Sequence, residues 1–137
     1  MIAQVAQGIA TKYSGSALAT LLTGGLWREK AKDDVAFPYA IFTEVDGING
    51  ATYASDVEFH RIQFTIWAQY TSAVTDAQAS LDVLEASLRS LFDRAKLTIT
   101  SWNNPAMLWD SSRPAYSEDD TIVGTHIDFV TWIDKTR

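Results

Sequence analysis

The sequence predicts an α+β domain, an antiparallel sheet of about four strands with a long helix and N-terminal helices packed on it. Three observations carry that prediction. From Glu58 to Tyr70, side chains alternate between two sets: His60, Ile62, Phe64, Ile66, Ala68 and Tyr70 face one way, and Arg61, Gln63, Thr65, Trp67 and Gln69 the other. From Ala77 to Ala95, the residues Ala77, Leu81, Leu84, Leu88, Leu91, Phe92 and Ala95 fall on a single helical stripe. From Thr121 to Asp134 the alternation returns, with Val123, Ile127, Phe129 and Ile133 on one face. The 137 residues, 47% of them apolar, suit one domain over 1–137. A chain of that size hides roughly two-thirds of its unfolded surface.

The remaining elements follow in order. Ile2, Val5, Ala6 and Ile9 recur at steps of three and four, which makes residues Ile2 to Tyr13 a helix, interrupted at Ser14-Gly15-Ser16. A second short helix is expected from Ser16 to Leu22, ended by Gly24-Gly25. Arg28 to Ala36 reads as a solvated loop whose basic run is offset at once by Asp33 and Asp34. Pro38 holds Phe37 extended, and YAIFTEV from Tyr39 is strand-forming. Gly47 to Asp56, with its GING, reads as a long turn; this loop and the basic one are expected to be poorly ordered in the free protein. Thr75-Asp76-Ala77-Gln78 has the spacing of a capping box ahead of the long helix. Leu97 to Thr100 is expected to be a strand, and Ala106 to Trp109 an edge strand within a weakly patterned stretch that contains Pro105 and Pro114.

Composition narrows the function. Eleven Lys plus Arg against 17 Asp plus Glu leave a net charge of -6, which argues against wrapping nucleic acid, since phosphate affinity comes from clustered cations. Without cysteine there are no disulfides or thiolate sites. No run reaches the length of a membrane span, and the opening MIAQVAQGIATKY lacks a basic leader, so a mature soluble chain is expected. The nucleophile-elbow, phosphate-loop, dinucleotide and zinc-hydrolase motifs do not occur. His60 and His126 near strand ends, within reach of Glu58 or Asp128, allow acid–base chemistry on paper, but strand-end histidines are more often partly exposed polar residues. Glu118-Asp119-Asp120 lacks the alternating ligand spacing of a calcium loop and reads as a solvated turn. The five tryptophans are more informative. Trp67 and Trp132 are out of phase with the apolar faces of their own strands, and with Phe42 and Val130 they define a second sheet face suited to contact with another molecule. The competing expectation is that the N-terminal helices cover that face as a second small core.

The order of these motifs resembles a known family. A helical N-terminus ending in Gly24-Gly25-Leu26-Trp27, then FPYAIF, then FHRIQFTIWAQY running into a helix with LxxLxxxLxxLF, and a closing TIVGTHIDFVTWID, together look like the tail-completion or tail-terminator proteins of long-tailed bacteriophages. The likeness spans about residues 2 to 134. It implies a structural virion protein without catalysis or cofactor, assembled in the bacterial host cytoplasm. It implies a ring, commonly a hexamer, which caps the tail tube protein and joins the tail to a head-side connector or neck protein, with DNA passing through and no membrane involved. On this reading Phe42, Trp67, Val130 and Trp132 are interface residues, and Glu118, Asp119 and Asp120 are candidates for an acidic lumen that does not retain DNA. The alternative from another class is a small-ligand-binding α+β domain or an enzyme using His60 or His126, marked by a deep apolar pocket between Trp67 and Trp132.

Overall fold

The computed structural model describes residues 3–49, 57–99 and 102–135. In chain order the elements are α1 (Ala3–Ser14), α2 (Leu18–Leu21), β1 (Leu26–Arg28), β2 (Tyr39–Asn49), β3 (Val57–Gln69), α3 (Ala77–Phe92), β4 (Trp102–Tyr116) and β5 (Ile122–Lys135). The strands form one sheet in the order β1-β2-β3-β5-β4. The expectation of about four antiparallel strands is therefore corrected: the described residues form five, and β1 runs parallel to β2. Three residues are too few to show a period, so β1 exists only through its pairing with Ala40–Phe42. Glu29, at φ 64, turns the chain away immediately afterwards.

The three described helices lie on one side of the sheet. The α3 helix packs on β3, β5 and β4, α2 packs on α3, and Val5, Ala6 and Ile9 of α1 join the same buried cluster as Ile62, Phe64 and Phe129. Phe64 sits at its centre, with ring centroids 4.9 Å from Phe92, 5.5 Å from Phe129 and 5.9 Å from Phe42. The buried residues of α3 are Ala77, Leu81, Leu84, Leu88 and Phe92, the stripe the sequence predicts, with Leu91 and Ala95 half-buried. Its N-cap is Asp76, whose Oδ1 accepts from the Ala79 N–H at 2.9 Å, so the cap lies one residue beyond the expected Thr75.

Two further differences have physical causes. Leu97 to Thr100 is not a strand within its described part, since only single bridges, Ala95 to Met107 and Ile99 to Trp102, occur there. Leu97 and Ile99 are instead buried beneath α1, where Gly8 permits close approach: a β-carbon there would lie 3.2 Å from that of Leu97. Conversely, the weakly patterned stretch holds a 15-residue strand, β4, far longer than Ala106 to Trp109. Irregularities between Asn103 and Ala106 and between Trp109 and Ser111 break its alternation, and both prolines are tolerated because β4 is an edge strand. The turn expected over Gly47 to Asp56 is strand up to Asn49, and the rest of it lies outside the described residues.

Candidate functional site

The side of the sheet away from the helices is the surface that stands out. Pairing registers determine which side chains share it, because directly paired residues point the same way. Phe59 pairs with Trp132, Arg61 with Val130, Gln63 with Asp128, Thr65 with His126 and Trp67 with Gly124. From β2, Tyr39 pairs with Trp67, Ile41 with Thr65 and Thr43 with Gln63. Trp67, Val130 and Trp132 thus belong to the helix-free face, as the sequence phase predicts. Phe42 does not. It pairs with Phe64 and is 3% exposed in the core, which corrects its placement. The stretch Tyr39–Phe42 is apolar at every position, so its phase is ambiguous in sequence, and the bulge between Glu44 and Asp46 then leaves Val45 exposed.

The expected alternative, N-terminal helices capping this face as a second core, is not what the chain adopts, because those helices share the α3 side. The face has a banded make-up. One aromatic row holds Tyr39 and Trp67, and the other holds Phe59, 47% exposed, with Trp132. Trp132 pairs opposite Phe59, eight residues from Trp67 along β3, so roughly 26 Å separate the two tryptophans. They cannot wall one pocket. The Trp67 ring lies on Gly124, where an added β-carbon would meet ring carbons at 2.5 and 2.6 Å and the Ile66 carbonyl oxygen at 3.0 Å. Gly124→Ala should therefore lift the ring and cost about 1–3 kcal/mol of stability. A denaturant midpoint equal to that of the unmodified chain would refute this account of the contact.

Between the aromatic rows runs a polar stripe. Arg113 Nη1 donates to Asp128 Oδ2 at 2.6 Å, and the Thr65 hydroxyl lies 2.8 Å from His126 Nδ1. Asp128 is 6% exposed, and its Oδ1 has no partner among the described residues. Partial burial lowers the pKa of His126, Arg113 lowers it further, and Asp128 opposes both. Arg61 pairs with Asp110 on the same side.

His60 occupies the opposite face. Its Nδ1 is 2.5 Å from Glu44 Oε1 and its Nε2 3.1 Å from Glu58 Oε2, so the ring ties β2 to β3. The two histidines therefore lie on opposite sides of the sheet and share no site. Among the described residues no group of three or more His, Cys, Asp or Glu is placed to hold a metal ion. No described helix is long and apolar enough to cross a membrane. A cleft of about 530 Å³ opens elsewhere, lined by Val35, Phe37, Pro38, Ala68 and Val74 among others. Sequence reasoning missed it because its walls come from a loop, a strand end and the approach to α3.

Glu118, Asp119 and Asp120 are exposed in the turn between β4 and β5. The Thr121 hydroxyl and N–H both donate to Asp119 Oδ1, at 2.7 and 2.9 Å, and these bonds lower the Asp119 pKa. That is a self-contained turn motif.

The whole arrangement of helices and strands has a solved counterpart. The chain shares its fold with a chain of the virion of a native gene transfer agent particle. The match has a TM-score of 0.73 at 12% identity and covers 98% of this chain and 99% of the other. A second solved structure aligns at TM-score 0.51 and 11% identity, over 96% of both chains. No family model matches the sequence, and no curated protein does. At these identities the likeness concerns the fold.

Proposed function

We propose that this chain is a structural protein of a phage-like virion, a tail terminator without catalytic activity. Six copies form a ring that caps the tail tube and joins it to a head-side connector or neck protein. The observation that carries this reading is the end-to-end fold likeness to a chain of a gene transfer agent virion, at a TM-score of 0.73. The helix-free aromatic face supports it, since a banded surface of large aromatics and polar groups has the composition of an interface. Trp67, Val130 and Trp132 are assigned to that interface. Cyclic closure is heterologous, so this face meets a different surface of the next copy. Glu118, Asp119 and Asp120 are assigned to the lumen, where negative charge lets DNA pass without being held.

The test is electron microscopy of the purified chain, alone and mixed with tail tubes lacking their cap. Six-fold rings, free or seated on tube ends, are expected. Two-fold dimers alone, or a monomer that ignores tubes at high concentration, would overturn the proposal.

A further inference from the structure

The helix side of the molecule carries an open surface of its own. The cleft beside Phe37 does not end at Pro38: a further cleft of about 420 Å³, lined by Leu21, Val83 and Leu84, shares Pro38 and Ser80 with it. Together they make one apolar trough along the flank of α3. The shortness of α2 leaves it open. That helix has four residues, with Leu18 turned into the core, and it ends before covering Val83, which is 59% exposed. Leu21 and Val74 are exposed along the same trough. Apolar residues scattered singly over a surface are normal, but three along one trough form a patch suited to contact.

The charge around the trough states what fits it. The segments that border it, residues 16–24, 33–38 and 68–84, hold Asp33, Asp34, Asp76 and Asp82 and no Lys or Arg. All four carboxylates are exposed, and none is in an ion pair among the described residues. Lys32, adjacent to Asp33 in sequence, stands instead 5.6 Å from the Trp27 ring centroid, and Trp27 pairs with Ile41 in a row that faces away from the helices. An apolar floor with an acidic rim complements a segment whose apolar side chains enter the trough while its Lys or Arg meet the rim. We infer that the trough docks a basic amphipathic segment of another protein. A second copy of this chain does not offer one. Its exposed large apolar residues away from the trough include Val45, which stands between Glu44 and Asp46, and Tyr116, which precedes the acidic run Glu118 to Asp120.

Docking here needs no ring, so its test is separate from that of the tail-terminator reading. Binding to the full chain is measured by calorimetry with two synthetic amphipathic peptides, one of Leu and Lys and one of Leu and Glu in the same pattern. One Leu-Lys peptide per chain is expected, and the Leu-Glu peptide should bind at least about tenfold more weakly. Leu21→Ser with Val83→Ser removes apolar anchors at positions already exposed. Asp34→Asn with Asp76→Asn neutralises the rim and keeps the backbone, because Asn tolerates the positive φ at Asp34 and caps a helix as Asp does. Each pair, verified as folded by its melting curve, should weaken the Leu-Lys peptide about tenfold. Glu85→Gln with Glu118→Gln removes the same charge from the other flank of α3, beside Arg113 and Pro114, and from the β4–β5 turn, and should leave the affinity unchanged. No binding of the Leu-Lys peptide, an equal loss in that control pair, or equal affinity for both peptides would overturn the inference. So would self-association of the unmodified chain that Leu21→Ser with Val83→Ser abolishes, because the occupant would then be a second copy.

Discussion

Phe64→Ala should destabilise the domain by about 3–5 kcal/mol, the range for truncating a fully buried aromatic. Phe64 is 0% exposed and touches aromatic rings from three other elements, Phe42 of β2, Phe92 of α3 and Phe129 of β5. Removing the ring leaves a cavity bordered by rigid groups on both the sheet and the helix, and neither layer can collapse into it without breaking its own hydrogen bonds. For a domain of this size the melting temperature should fall by roughly 10–20 °C. Calorimetry or a thermal melt checks it. A fall of only a few degrees would mean that this cluster does not tie the helix layer to the sheet.

Trp132→Glu should do the reverse, leaving the monomer nearly as stable and abolishing assembly. Trp132 lies on the helix-free face opposite the half-exposed Phe59, so the new carboxylate would sit at a surface and stay hydrated in the monomer. A substitution of that kind usually changes stability by less than about 0.5–1 kcal/mol. In an assembled interface the same charge would be stripped of water without a partner, and truncations or charges at buried aromatic anchors commonly cost several kcal/mol. Melting temperature and ring formation are both read on the same preparation. A large fall in the melting temperature of a verified monomer would show that the face is already buried and would remove Trp132 from the interface.

The two substitutions differ because Phe64 and Trp132 lie on opposite sides of one sheet, and the sequence reveals much of that division. On β3 and β5 a strict period of two separates Ile62, Phe64, Ile127 and Phe129 from Trp67, Val130 and Trp132, and the structure keeps that separation. On α3 the stripe from Ala77 to Phe92 identifies the face turned inward. These elements were legible because each has one buried side and one wetter side, which imprints a period on the residue types.

Where that asymmetry is absent, only the tertiary structure decides. Tyr39–Phe42 is apolar throughout, so neither phase is favoured locally, and pairing of Phe42 with Phe64 selects it. In β4, bulges and two prolines erase the alternation, and the strand is held by its register with β5 and by the bridge from Ala95 to Met107. Three residues of β1 become a strand only because the edge of β2 is beside them. The side taken by α1 and α2 is likewise unwritten in their own amphipathic pattern. A helix stripe states that one face must be buried, but not against which surface. Here the contacts of Gly8 with the segment at Leu97 and Ile99, and of α2 with α3, place both helices on the α3 side. So the sequence determined the amphipathic elements and the existence of two unlike sheet faces, because those follow from local periodicity. The tertiary structure decided that the described helices all share the other face and that Asp128 Oδ1 has no partner among the described residues, because both depend on long-range packing that no local period encodes.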